Sequence, residues 1–127
     1  MLMTLSRDVA PRVTAKLDFK EAQFGRARDG LERYLLVRPG DAEGYYLMGE
    51  AYRRENPNGD NFDKAFENYQ LAVAMNWRLA EAHREIGMAH RMLGNTEQAR
   101  DAFERYLRVA PDAPDAGIVR GYLEGLE

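Results

Sequence analysis

An all-α fold built from stacked antiparallel helix pairs is what this 127-residue sequence predicts, on three observations. Apolar and small residues recur near the helical period of 3.6 along most of the chain. Two kinds of half-unit alternate, and each returns at a near-constant spacing. Glycine or alanine stands at the same place in successive copies, where two helices of a pair can approach closely. The length suits one domain, and 45% hydrophobic with 31% charged residues gives enough apolar material for a core without low complexity.

The repeat is visible on alignment of Ala27, Ala65 and Ala99. Four residues after each stand Leu31, Tyr69 and Phe103, and twelve after each stand Pro39, Trp77 and Pro111. The other half-unit reads Tyr45-x-x-Met48-Gly49-x-x-Tyr52, then His83-x-x-Ile86-Gly87-x-x-His90, then Gly117-x-x-Arg120-Gly121-x-x-Glu124, in which the large residues are gone. From Gly87 to Gly121 is 34 positions.

In this order and spacing the residues resemble the tetratricopeptide repeat, whose period is 34 and whose signature runs large residue, Leu-Gly, aromatic, Ala, aromatic, Pro. The resemblance covers Asp41 to Pro111 in full, and Phe24 to Pro39 match the second half of one more unit. It implies a right-handed α-α superhelix of helix hairpins closed by a C-terminal capping helix. The domain is expected over 21–127, with a partial repeat at 21–40, full repeats at 41–78 and 79–111, and the cap at 115–126. Two departures stand out. The stretch from Gly49 to Ala65 is four residues longer than that from Gly87 to Ala99, and Trp77 replaces a helix-ending Pro.

Taken in order, residues 1–20 form an N-terminal segment of ambiguous type. Arg12 to Lys20 alternates polar and apolar like a strand, while Leu5, Val9, Val13 and Leu17 fit a helical stripe broken by Pro11. Helices are expected at about 21–37, 42–54, 62–75, 79–93, 96–109 and 115–126. The first is the second half of its unit, so its Ala27, Leu31 and Tyr34 need a cover. Either an irregular N-terminal helix supplies it or the chain self-associates through this edge as a homo-oligomer. Asp41 caps the second helix; Gly59-Asp60-Asn61 separates the second from the third; Gly94-Asn95-Thr96 ends the fourth and caps the fifth. Gly49 is expected to face Ala65, and Gly87 to face Ala99. In the last helix Gly117, Gly121 and Gly125 either weaken the helix or permit close packing on a neighbour.

Catalytic chemistry finds few residues to use, and the chain is read as not an enzyme. The chain has no Cys, one Ser and two His, so thiol chemistry and a thiolate metal site are excluded. His83 and His90 lie about 10 Å apart along one helix and cannot share an ion, and each falls on a core position, bonded to its neighbours. Asn58-Gly59-Asp60-Asn61 with Asp63 lacks the glycine and glutamate positions of a calcium loop. No cofactor or metal is expected. A net charge of −3 without long runs of one sign does not indicate nucleic-acid binding, and no apolar stretch reaches the about 20 residues that span a bilayer. The compartment defaults to cytoplasmic, with periplasmic the alternative for a domain excised from an exported protein.

Binding is therefore the expected function. Stacked pairs create a concave surface for an extended peptide or a helix. The resemblance implies a protein-interaction scaffold whose groove is lined by the first helix of each pair. On this chain those positions include Tyr46, Leu47, Glu50, Arg53, Arg84, Met88, Arg91 and Met92, the arginines suited to a peptide carboxylate and the others to adaptable apolar contact. Glu50 and Met88 stand where family members that clamp acidic chaperone tails carry asparagine, which disfavours that ligand. The alternatives are a structural homo-oligomerisation module and an accessory domain of a larger enzyme.

Overall fold

A computed structural model describes residues 15, 16, 18–20 and 22–126. Among the described residues there are six α-helices, α1 Phe24–Val37, α2 Ala42–Glu55, α3 Gly59–Met75, α4 Ala80–Leu93, α5 Thr96–Val109 and α6 Ala116–Gly125, and no strand. Residues 15, 16 and 18–20 are also helical. The chain divides into two compact units, Met1–Met75 and Asn76–Glu127.

In the first unit α2 packs on both α1 and α3. Ala27 and Leu31 of α1 join Leu47, Met48 and Ala51 of α2 in one core cluster, and Ala15 closes it from the other side with Phe19 and Tyr52 packed around it. The helical alternative thus holds for residues 15, 16 and 18–20, and the strand reading of those residues is corrected. Helical spacing brings Ala15 and Phe19, four residues apart, to one face over α1, and pairing with a strand is not needed. The rest of the 9–20 alternation, and Leu5, Val9, Val13 and Leu17, lie outside the described residues. Ala22 has φ of +59°, and this left-handed residue lets the Gln23 amide bond back to Asp18 O before α1 begins.

Asp41 caps α2 as expected, its Oδ1 accepting from the amides of Glu43 at 3.0 Å and Gly44 at 3.3 Å. The longer connection to α3 was expected to be a turn reaching residue 61, and the structure corrects it. Gly59, with φ of +59°, already begins α3, so three of the four extra residues become an added N-terminal turn of a 17-residue helix. Asn61 makes that turn useful by donating its side-chain amide to Tyr52 O at the end of α2, at 3.2 Å.

The second unit packs α5 on α4 and α6 on α5. Gly94 ends α4 in the left-handed region, φ +78°, as its position predicts. Asn95 does not cap α5; its side-chain amide instead lies 3.3 Å from His90 Nδ1. Phe103, Tyr106, Ala99, Ala116 and Val119 form the core, with Met88, Tyr122 and Leu123 packed against it.

Gly49 faces Ala65 as expected, and at both Gly49 and Gly87 an aromatic ring lies closest. A Cβ at Gly49 would lie 2.6 Å from the Tyr69 ring and 3.1 Å from Ala65 O; one at Gly87 would lie 2.5 Å from the Phe103 ring. The aromatic four residues after each alanine, not the alanine side chain, fills the notch. A ring packed on a bare helix backbone buries more apolar area than two small residues could.

Candidate functional site

On α2, Tyr46, Leu47, Glu50 and Arg53 follow helical spacing, so one side of the helix carries all four. The structure commits two of them to the interior. Leu47 belongs to the core, and Glu50 is 2% exposed. Around the Glu50 carboxylate, Tyr69 OH donates at 2.5 Å, Arg53 Nη2 at 2.8 Å and Arg54 Nε at 3.2 Å, while Arg53 Nε also reaches Tyr69 OH at 3.2 Å. Burial alone would raise the Glu50 pKa. The hydrogen bonds from Arg53 and Tyr69 and the charges of Arg53 and Arg54 outweigh it, holding the carboxyl below its ordinary value. One buried anion thus fixes two arginines whose stems reach solvent. Tyr46 is half-buried, its ring 5.8 Å from Tyr69.

On α4, Arg84, Met88 and Arg91 share the side that meets α6. Arg84 Nη1 donates to Asp115 Oδ2 at 2.7 Å, and the Arg91 guanidinium lies 4.9 Å over the Tyr122 ring. Both contacts join residues 31 apart, seven residues on along each helix, so α6 runs parallel to α4 in a fixed register. Between them Met88 packs on the core. Met92 is 68% exposed.

Sequence reasoning read Ile118 and Tyr122 of α6 only as cover for the last repeat and gave Asp115, just before α6, no contact with α4. Their signal was present, since aligning Gly121 with Gly87 puts them where Glu81, Arg84 and Met88 stand on α4. Asp115 is the N-cap residue of α6, yet its carboxylate makes no capping bond and goes instead to Arg84 and to the hydroxyl of Tyr106. The Tyr106 bond, together with Arg84, lowers the Asp115 pKa. Burial first and this carboxylate second push the Tyr106 hydroxyl up to about 12.

His83 is buried with Nε2 donating to Trp77 O at 2.6 Å, and its ring meets the Trp77 ring edge-on at 5.3 Å. Burial lowers its pKa against the opposing pull of that carbonyl, and burial lowers that of His90. Both imidazoles are structural in their contacts, as their core positions predict. Among the described residues no group of three or more His, Asp or Glu could hold a metal ion, and no helix is long and apolar enough to cross a membrane.

Comparison with known proteins fits this geometry. The chain is 29% identical over 106 residues to protein O-mannosyl-transferase TMTC1 of Mus musculus, a match covering 80% of this chain and 11% of that protein. The first tetratricopeptide domain of Spaghetti (RPAP3), bound to an HSP90 peptide, is similar with a TM-score of 0.80 over 94% of this chain and 90% of that one, at 22% identity. The type III secretion chaperone SycD of Yersinia enterocolitica, in complex with a peptide of the translocator YopD, gives a TM-score of 0.80 over 91% and 88%, at 12% identity. These likenesses show the all-α superhelical fold that the sequence predicts. A tetratricopeptide-repeat profile matches residues 58–124, more than half of the sequence, and the chain belongs to the tetratricopeptide-repeat family.

Proposed function

We propose that the chain is a non-enzymatic protein-interaction scaffold in which a first-of-pair helix, α2 in one unit or α4 in the other, holds a peptide or a partner helix. The observation that carries this reading is on α4, where Met92 is 68% exposed beside the exposed cation Arg91, although the core requires neither. A flexible thioether next to a guanidinium is suited to taking up a side chain and a carboxylate together. On α2, Tyr46, Arg53 and Arg54 offer a related combination. Leu47 and Glu50 support them from beneath, because both are buried, and the contact surface narrows to the remaining six residues of the predicted set. The solved relatives named above carry peptides by their own descriptions, which is consistent with the reading. Of Ala27, Leu31 and Tyr34, the residues whose cover motivated self-association, Ala27 and Leu31 share a cluster with Ala15, and Phe19 packs against it.

Capture of partners on immobilised wild-type chain, compared with Arg53→Glu and Arg91→Glu, tests the proposal. Loss of captured proteins is the expected result, at unchanged thermal midpoint for Arg91→Glu and with a lowered midpoint for Arg53→Glu, which sets a second carboxylate against the buried Glu50; full retention by the double variant would move binding off these helices. A second reading, an accessory domain of a larger enzyme, is favoured by the match to about a ninth of a transferase. The complete reading frame around the chain tests it, since a catalytic domain in the same polypeptide is required.

A further inference from the structure

An asparagine side chain can react with the backbone N–H of the residue after it, provided that the side chain is not held elsewhere and the N–H is neither crowded nor hydrogen-bonded. Of the six asparagines in the sequence, five fail one of these conditions. Asn56 precedes Pro57, which has no N–H. Asn61 donates its side-chain amide to Tyr52 O at 3.2 Å, and Asn68 donates to Lys64 O at 2.8 Å. Asn76 accepts from the Arg78 amide at 3.0 Å, and the Asn95 amide lies 3.3 Å from His90 Nδ1. Phe62, Tyr69, Trp77 and Thr96 follow these four, and each brings a side chain to the point of approach. Asn58 is exposed, its side chain has no hydrogen bond among the described residues, and Gly59 follows it. Gly59 opens α3, so its N–H belongs to the first turn and has no carbonyl behind it in the helix. The pair Asp29-Gly30 has similar chemistry but lies inside α1, where the helix ladder takes up the Gly30 N–H.

We infer that Asn58 is a self-modification site, where the chain converts its own amide to a carboxylate with the Gly59 nitrogen as nucleophile. That nitrogen bonds to Asn58 Cγ and gives up its proton; the Cγ–Nδ2 bond breaks, and ammonia leaves with the proton. The cyclic imide so formed takes up one water. Opening at Cγ leaves aspartate at position 58. Opening at the former backbone carbonyl leaves an isoaspartyl link, in which the main chain runs through Cβ and Cγ and that carbonyl becomes a free carboxylate. One water enters and one ammonia departs, with no oxidant or metal. Both products place one more negative charge ahead of α3, near Asp60 and Asp63. The isoaspartyl product also acts on the fold. Asn58 O accepts from the Phe62 amide at 3.4 Å, which anchors the added turn of α3. Lengthening the backbone and turning that carbonyl into a carboxylate ends the bond and loosens the turn from which Asn61 reaches Tyr52 O. The tie between α2 and α3 is thus the element that the modification weakens.

The test holds the full chain in warm, mildly alkaline buffer and samples it over days for proteolytic mapping by mass spectrometry. The expected result is a gain of about 1 Da that appears first on the peptide carrying Asn58. Hydroxylamine, which attacks the imide, should cleave the chain between residues 58 and 59. Asn58→Gln, whose ring would be larger and closes far more slowly, removes both signals at unchanged thermal midpoint. The purified isoaspartyl chain exchanges its Phe62 amide faster than wild type, while Asn58→Asp, which carries the charge on an unaltered backbone, does not. A gain that appears first at Asn61, Asn68, Asn76 or Asn95 would overturn the inference. So would an intact Asn58 after an incubation that fully converts a synthetic peptide of residues 55–60. Equal Phe62 exchange in wild-type and isoaspartyl chains would overturn the loosening of α3.

Discussion

The hydroxyl of Tyr106 donates to one carboxylate oxygen of Asp115 while Arg84 Nη1 donates to the other at 2.7 Å, so the first residue before α6 ties that helix to both α5 and α4. Tyr34 and Asp41 make the same tyrosine-to-acid bond ahead of α2, and Tyr34 and Tyr106 occupy the same place, seven residues after Ala27 and Ala99. Two of the three aligned helices therefore fasten the start of the next helix in one way. In the remaining copy Ala72 stands at that place and has no hydroxyl to give.

This bond makes α6 sensitive to alkali. The folded pKa of Tyr106, about 12, lies above the ordinary value of 10.0, so the neutral phenol is the form that the fold favours. Its stabilisation is complete below about pH 10 and is lost as pH rises through about 12. Thermal midpoints measured by circular dichroism should fall across that window. In Tyr106→Phe the midpoint starts lower and the additional fall is smaller, because the titrating hydroxyl is gone.

Glycines of opposite sign follow from the same geometry. An alanine methyl at Gly87 would press on the Phe103 ring at 2.5 Å, and that ring is fully buried and cannot move aside. Overpacking of this kind costs about 1–3 kcal/mol, only partly offset by the better helix propensity of alanine. Gly87→Ala should therefore lose about 1–2 kcal/mol in urea unfolding. At Gly121, in the same register, no atom lies within 4 Å of the added carbon and φ is ordinary. Gly121→Ala should gain up to about 1 kcal/mol. The three glycines of α6 thus weaken the helix and are not used for close packing.

The helices were legible in the sequence because a buried stripe leaves a 3.6-residue signature on each one separately: α2 was expected at 42–54 and spans Ala42–Glu55, and α5 was expected at 96–109 and spans Thr96–Val109. Relations between helices left no such signature. The burial of Glu50 depends on Tyr69, 19 residues away, whose hydroxyl replaces the water a glutamate would otherwise keep. The meeting of Arg84 with Asp115 and Arg91 with Tyr122 depends on two helices lying parallel, which a period along either one does not encode. Asn58-Gly59 reads as a turn from composition, yet glycine at positive φ can also open a helix, and here it does.

Ala22 carries a left-handed backbone that a side chain disfavours by about 1 kcal/mol or more. It is exposed, so nothing is lost by removing the methyl. Ala22→Gly should stabilise the joint between the helical residues 18–20 and α1, raising the thermal midpoint and slowing amide exchange at Gln23, whose N–H bonds to Asp18 O.

The carboxylate of Glu50 is the group whose loss should be felt most in the first unit. Glu50→Gln keeps the shape but removes the charge that balances Arg53 and Arg54, and leaves Tyr69 OH with a weaker acceptor. Both arginines retain solvent access, so the expected cost is about 1–3 kcal/mol and not the larger penalty of a stranded buried cation. The pH dependence separates this role from simple packing. A pKa held below the ordinary carboxyl value means stability that is present above it and is lost as pH falls through the folded value. Wild-type chain should lose stability to acid more steeply than Glu50→Gln, and the two curves should converge at low pH. Parallel curves would show that the charge of Glu50 contributes nothing beyond its volume.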